Sequence, residues 1–147
     1  MTFAMHRLAN ELKTLTLPPN VQLISSTPSH SPYIHTIKLT VTPLQGIYTN
    51  RTLIFELCFL PSYPFTGPKV FCRSKIYHPN IENEHVCMRM VREEWTCGMG
   101  VEVVVGGLMV VLVEIDGEDA LNVEAGDMMI NDYERFVKIA REYGRDV

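Results

Sequence analysis

Near the start of the chain, Met5, Leu8, Leu12 and Leu15 fall on one stripe at helical spacing, and Arg7, Asn10, Glu11 and Lys13 lie off it. That pattern predicts an amphipathic helix. Pro18-Pro19 ends it, because proline lacks the amide that would continue the ladder. The period then changes. Ile37, Leu39 and Val41 alternate with polar neighbours, and Leu53, Phe55, Leu57 and Phe59 alternate again, as half-buried strands do. Residues 43–46 read as a turn and residues 70–72 as a further short strand. Short strands joined by turns predict an antiparallel meander.

Residues 73–100 keep neither period. A stretch of that length without regular structure is uncommon in a compact domain and tends to be functional. It contains Tyr77-His78-Pro79-Asn80, Cys87 and the only tryptophan, Trp95. Residues 101–114 are rich in valine and carry Gly106-Gly107 in mid-run, so local propensity favours a buried strand over a helix. Asn122 is placed to cap a short helix running to Ile130, and Asn131 or Asp132 to cap another that ends at Gly144. Helix, then strands, then helices is an α+β layout, with residues 1–147 forming one domain.

Composition narrows the function. The chain is 46% apolar and 20% charged, with net charge −4 from 13 basic and 17 acidic residues. It is too apolar for disorder, and it lacks the basic balance of a nucleic-acid binder. No apolar run reaches the ~18 residues of a membrane span. The longest, 101–113, is broken by Glu102, Gly106 and Gly107. Arg7, Glu11 and Lys13 fall where the apolar core of a secretory leader would run. The expectation is therefore a protein of the cytoplasm or nucleus, with no membrane or nucleic-acid partner and with reduced thiols. None of Cys58, Cys72, Cys87 and Cys97 forms a C-x-x-C pair, so no structural metal site is expected.

Cysteines of this kind are most often buried and inert, and that reading holds for Cys58 and Cys72, which sit in strand-like segments. Cys87 has different neighbours. It follows Tyr77-His78-Pro79-Asn80 by a short spacing and precedes Trp95. This order resembles the core of the ubiquitin-conjugating enzymes. Upstream, Tyr63-Pro64-Phe65-Thr66-Gly67-Pro68-Lys69-Val70 is similar to that family's Tyr-Pro-x-x-Pro-Pro-x-Val segment. Downstream, Glu118-Asp119-Ala120-Leu121-Asn122 is similar to its Asp-Pro-Leu segment. Within the family, Leu17-Pro18, Gly46-Ile47-Tyr48 and Arg92-Glu93-Glu94-Trp95 look most like the branch that conjugates the Nedd/Rub modifier.

The resemblance implies a ubiquitin-conjugating fold: an N-terminal helix, a four-stranded antiparallel meander, a long active-site loop, and central and C-terminal helices. It therefore implies a helix at 101–114, against local propensity. It also implies a transferase that accepts ubiquitin or a Nedd/Rub-type modifier from an activating enzyme as a thioester on Cys87. The modifier then passes to a lysine of a protein substrate, with a RING-type or cullin-associated ligase. The nucleophile is the thiolate. Asn80 would donate its amide to the oxyanion or hold the loop, and Asp119 would orient the lysine. Tyr77, His78 and Pro79 would be structural members of the active-site loop. Pro64 and Phe65, with Thr96 and Cys97, match the two ligase-docking loops, although Phe65 reads equally as a core residue beside a turn. His6, Arg7 and Lys13 match the face that meets the activating enzyme, or else form an ordinary solvated face. No cofactor is implied, because the activating enzyme consumes the ATP, and the chain is expected to act as a monomer.

Several positions depart from the pattern. The segment from Asn80 to Cys87 is one residue short, and Glu84-His85 replaces a glycine-containing turn. Gly67, Cys97 and Ala120 stand where prolines are usual. The branch carries an N-terminal extension, and this sequence begins almost at the first helix, so either modifier stays open. Two other functions remain open as well: a catalytically weak or inactive interaction module of the same fold, and a hydrolase pairing Cys87 with a histidine.

Overall fold

The computed structural model describes residues 2–145. Helix α1 (Phe3–Lys13) opens the chain, capped by the Thr2 hydroxyl, which accepts from the Met5 amide at 3.3 Å. It buries Ala4 and Leu8 and stops short of Leu15. Strands β1 (Val21–Pro28), β2 (His35–Val41), β3 (Leu53–Phe59) and β4 (Lys69–Cys72) pair antiparallel in sequence order as the four-stranded meander. Strand β2 alternates strictly, with His35, Ile37, Leu39 and Val41 buried.

Two short strands extend the sheet within the region that the residue pattern left without structure. They are β5 (Ile81–Glu82) and β6 (His85–Val86), and β6 pairs with β4. Asn83 and Glu84 join them with φ of 49° and 68°. Positive φ at both central residues is the two-residue hairpin turn that suits the twist of paired strands. The missing glycine is tolerated because Asn adopts this conformation readily. Glu84 is held in place by the sheet: its carbonyl accepts from the Cys72 amide at 2.8 Å and its carboxylate pairs with Arg73 at 3.3 Å.

Helix α2 (Val101–Val113) overturns the strand that local propensity favours. Val101, Val104, Val105, Leu108 and Leu112 are buried, which is the spacing of one helical face. Valine is poorer than alanine in a helix by under ~0.7 kcal/mol, whereas burying each such side chain contributes about 1.5–3 kcal/mol, so packing decides. The helix lacks a cap of its own. Glu11 of α1 supplies one, its Oε1 accepting from the Val101 amide at 2.8 Å. That places a carboxylate at the positive end of the helix dipole. Gly100 leaves room for that carboxylate, since a Cβ would lie 2.0 Å from Glu11 Oε1 and push it out of its capping position.

Helices α3 (Val123–Asn131) and α4 (Tyr133–Glu142) begin at Asn122 and Asp132, whose side chains accept from the Ala125 and Arg135 amides as expected. The sheet interior, α1, α2, α3 and α4 contribute to one hydrophobic core. No helix among the described residues is long and apolar enough to cross a membrane.

Candidate active site

The site is assembled around His78. Its side chain is 0% exposed and stacks on the buried Tyr48 ring at 5.3 Å. Nε2 lies 2.7 Å from the Val111 carbonyl of α2, and Nδ1 lies 2.9 Å from the Asn80 amide nitrogen. A carbonyl only accepts and an amide only donates, so Nε2 carries the proton and Nδ1 accepts. Burial pushes the imidazole pKa down to about 4, because the low-dielectric interior disfavours its cation. Both ring nitrogens are therefore occupied, and no dyad with Cys87 is available to this histidine.

The adjoining residues extend the brace. The Tyr77 carbonyl accepts from the Tyr48 hydroxyl, and the Tyr77 ring packs near Phe136 of α4 at 5.8 Å. Pro79 is buried, and its carbonyl accepts from the Asn122 amide at 2.8 Å. The Asn80 carbonyl accepts from the Cys87 amide at 2.8 Å. That bond returns the shortened loop to its start, so the β5–β6 hairpin brings Cys87 beside Asn80 despite the lost residue. Asn80 holds the loop through its backbone. Among the described residues its side-chain amide has no hydrogen-bond partner.

Cys87, half-buried, lies in a groove of ≈ 590 Å³ that Asn80 and Asp119 also line. The three residues singled out for catalysis thus share one cleft. Arg92 Nη2 donates to Cys87 Sγ at 3.1 Å. In the sequence Arg92 stands out only as part of a motif, with no role of its own. Its signal was a cation just past the candidate nucleophile, and only the 3-10 turn over Arg89–Val91 folds it back. The floor of the groove is α2 at Gly107, where a Cβ would meet Met90 Sδ at 2.7 Å and Met88 Cε at 2.8 Å. The rim is acidic: Glu93, Glu94, Glu114, Asp116, Glu118 and Asp119 line it together with Arg89 and Arg92. Asp119 is exposed and has φ of 50°.

The other cysteines differ. Burial raises the Cys72 thiol to about 11 and raises Cys58 as well, so both are poor nucleophiles at neutral pH. Cys97 is exposed.

On the two candidate docking loops, Phe65 is 65% exposed, which decides against a core role, and it meets Phe3 edge-on at 5.8 Å. Phe3, 61% exposed, was not among the residues expected from sequence. Thr96 is exposed beside Cys97. Pro64 is a correction, because it is buried rather than presented to solvent. The Trp95 indole donates to its carbonyl at 2.7 Å, which ties the two loops together. Gly67 replaces proline for the same reason: a Cβ there would lie 2.5 Å from the Val91 carbonyl and 3.0 Å from the Trp95 ring.

On α1, His6 and Lys13 are exposed, but Arg7 is not an ordinary surface cation. It donates to the Cys97 and Met99 carbonyls at 3.1 and 2.9 Å and pairs with Glu11 at 3.2 Å. Its guanidinium braces the loop after Trp95 against α1.

Residues 7–144 match the model of a family described as ubiquitin-conjugating enzyme. Among curated proteins, the NEDD8-conjugating enzyme UBC12 of Eremothecium gossypii is 34% identical over 134 residues, covering 90% of this chain and 71% of that protein. The enzyme of the same name from Saccharomyces cerevisiae is 32% identical over 148 residues, covering 96% and 77%. Among solved structures, that of S. cerevisiae Ubc12 superposes with a TM-score of 0.85 at 30% identity, covering 95% of this chain and 78% of that one.

Proposed function

The chain belongs to the ubiquitin-conjugating enzyme family, and on that premise we propose that it carries a NEDD8-type modifier as a thioester on Cys87 and passes it to a substrate lysine. The observation that carries this reading is the single groove that holds Cys87, Asn80 and Asp119. The modifier class rests on the likeness to NEDD8-conjugating enzymes across most of the chain.

The Cys87 thiolate attacks the thioester that links the modifier to its activating enzyme, and the activating-enzyme thiolate leaves. Arg92 donates to Sγ and holds the nucleophile at the mouth of the groove. When a lysine amine that has given its ammonium proton to solvent then attacks the new thioester, negative charge develops on the carbonyl oxygen, and collapse of the intermediate breaks the C–S bond, leaving an amide and the Cys87 thiolate. The Asn80 side chain, without a hydrogen-bond partner among the described residues and lining the same groove as Cys87, is the donor for that oxyanion. Its backbone already holds the loop, so the side chain is left for chemistry. One preorganised donor of this kind contributes roughly 10²–10³ in rate. His78 braces the Asn80 backbone and takes no proton.

The acidic rim attracts the cationic lysine and so raises its local concentration. Asp119 is too exposed to depress the amine pKa by desolvation, since a carboxylate alone favours the ammonium. It therefore acts by orienting the amine. Phe65 with Phe3, and Thr96 with Cys97, form the surface for a ligase, while His6 and Lys13 face the activating enzyme.

Charging tests the reading. The protein is mixed with ATP and with each of two matched pairs, the NEDD8-type modifier with its activating enzyme and ubiquitin with its own, and gels are run with and without reductant. A reductant-labile band with the first pair is expected. It should be replaced in Cys87→Ser by a reductant-stable oxygen ester or by no adduct. A band with ubiquitin alone would overturn the modifier assignment. A labile band that persists in Cys87→Ser would remove the thioester from this residue.

A further inference from the structure

Away from the groove, three cations from three chain segments meet around a second cavity. Arg51 precedes β3, Lys75 follows β4, and Arg145 follows α4. Together with Ser74, Asn50 and Thr52 they line a polar pocket of ≈ 570 Å³. Its walls are fixed by packing. Arg51 donates to the Lys75 carbonyl at 2.7 Å and to the Ala140 carbonyl at 3.5 Å, bridging the loop after β4 to the end of α4. Gly144, with φ of 76°, lets the chain turn directly over Lys75, where a Cβ would lie 2.6 Å from the Lys75 carbonyl. Ser74 Oγ accepts from the Ile54 amide at 2.9 Å, which leaves its proton available to a ligand.

The charges here are unbalanced. Elsewhere three arginines are paired, Arg7 with Glu11, Arg73 with Glu56 and Glu84, and Arg92 with Glu93, while Arg89, Arg135 and Arg141 form no ion pair among the described residues. Among the described residues, no carboxylate pairs with Arg51, Lys75 or Arg145, and no acid lines the pocket. The pKa of Arg51 is lowered, first by burial and then by the facing Arg145. Three like charges lining one pocket would be relieved by an anion between them.

We propose that this pocket binds a phosphate-monoester group. A phosphate carries about −1.5 to −2 charges at neutral pH and three acceptor oxygens, which matches three cations and a hydroxyl. A single carboxylate would leave the site positive. The Arg145 guanidinium can meet phosphate oxygens in bidentate fashion, while Arg51, whose two Nη atoms already donate to carbonyls, adds charge; the volume exceeds that of the phosphate alone, leaving room for the body of a small ester.

The test is a titration of the isotope-labelled full chain, followed by its backbone amide NMR shifts at constant ionic strength. One arm uses inorganic phosphate, a second uses phosphoserine with blocked termini, and sodium chloride is the control. The same titrations are run on Asp146→Asn, which removes the carboxylate next to Arg145 in sequence. Saturable shifts are expected at residues 50–52, 74–75 and 144–145, in the chain or in Asp146→Asn, and none from chloride. Tighter binding of phosphoserine identifies an ester as the ligand, and equal or tighter binding of inorganic phosphate identifies the free anion. Lys75→Gln and Arg145→Gln, both at exposed positions, should each weaken binding roughly five-fold, as loss of one ionic contact does. Arg51 is left intact because it braces the fold. Absence of saturable shifts in every arm, or affinity unchanged in both variants, would overturn the proposal.

Discussion

The two walls of the groove are built differently. The Asn80 wall is closed. His78 is fully buried, bonded to Val111 and to the Asn80 amide, and Asn80 is bonded in turn to Cys87. The Asp119 wall is open. Asp119 is exposed on a loop with a left-handed φ. Among the described residues it is anchored by the Asn122 amide on the Pro79 carbonyl and the Glu118 amide on the Asp116 carboxylate. Oxyanion stabilisation depends on preorganised geometry, and the donor proposed for it, Asn80, stands on the rigid side. Under the proposed function this wall receives the incoming lysine, and low local stability lets it adjust to the acceptor.

Four experiments can break or sharpen that contrast. The largest effect is expected from Asn80→Ala. Transfer to lysine should fall roughly 10²–10³-fold, measured by single-turnover discharge of the preformed thioester. Charging and thermal stability should stay near the parent, because backbone atoms hold the loop. A large loss of stability instead would make Asn80 a loop brace.

Next is acid. The unfolded chain protonates His78 near pH 6.5, but the folded imidazole resists protonation down to about 4. The unfolded state therefore binds more protons in this window. Stability is full above pH 6.5 and declines toward pH 4, by about 3 kcal/mol from this residue. Buried His35, also lowered, adds in the same direction. Denaturant titrations from pH 7 to 4.5, compared with His78→Gln, isolate the His78 contribution. An identical pH dependence in both would mean that the Asn80 wall is no more closed than the other.

The adjacent glycines in the groove floor should respond oppositely. Gly107→Ala drives a methyl into Met88 and Met90 and should cost about 1–3 kcal/mol. Gly106 has nothing within 4 Å of a built Cβ, so Gly106→Ala should stabilise the protein by about 0.5–1 kcal/mol. Thermal melts of the two variants check both signs.

The smallest catalytic effect belongs to the open wall. Asp119→Ala should slow transfer on the order of ten-fold, the loss of roughly 1.4 kcal/mol, and should mainly raise the apparent KM for the lysine acceptor. A loss as large as that of Asn80→Ala would show that this wall is rigid in the working complex.

Much of the frame was legible before any coordinates. The alternation in β2 and β3, the caps at Asn122 and Asp132 and the order of motifs around Cys87 each rest on local rules, and each reappears in the structure. What escaped depended on partners far along the chain. Arg7 read as a surface cation until the Cys97 and Met99 carbonyls were seen to receive it. Pro64 read as exposed until Trp95 closed over its carbonyl. Arg92 had no role until a turn brought it to Cys87.

Helix α2 marks the boundary most clearly. By itself the sequence determined where α1, β2 and β3 lie, because their apolar periods are clean and each element can be read from its own residues. It determined the family too, because motif order and spacing survive divergence. That 101–113 is a helix could not be read from its own residues; the family resemblance implied it, and tertiary packing is what enforces it. Exposed Val103 and Val110 blur its stripe, valine and glycine oppose it locally, and its cap is the carboxylate of Glu11, 90 residues earlier. Local propensities amount to fractions of a kcal/mol per residue, while burial of five large side chains amounts to several kcal/mol in total, and that burial exists only once the sheet is in place.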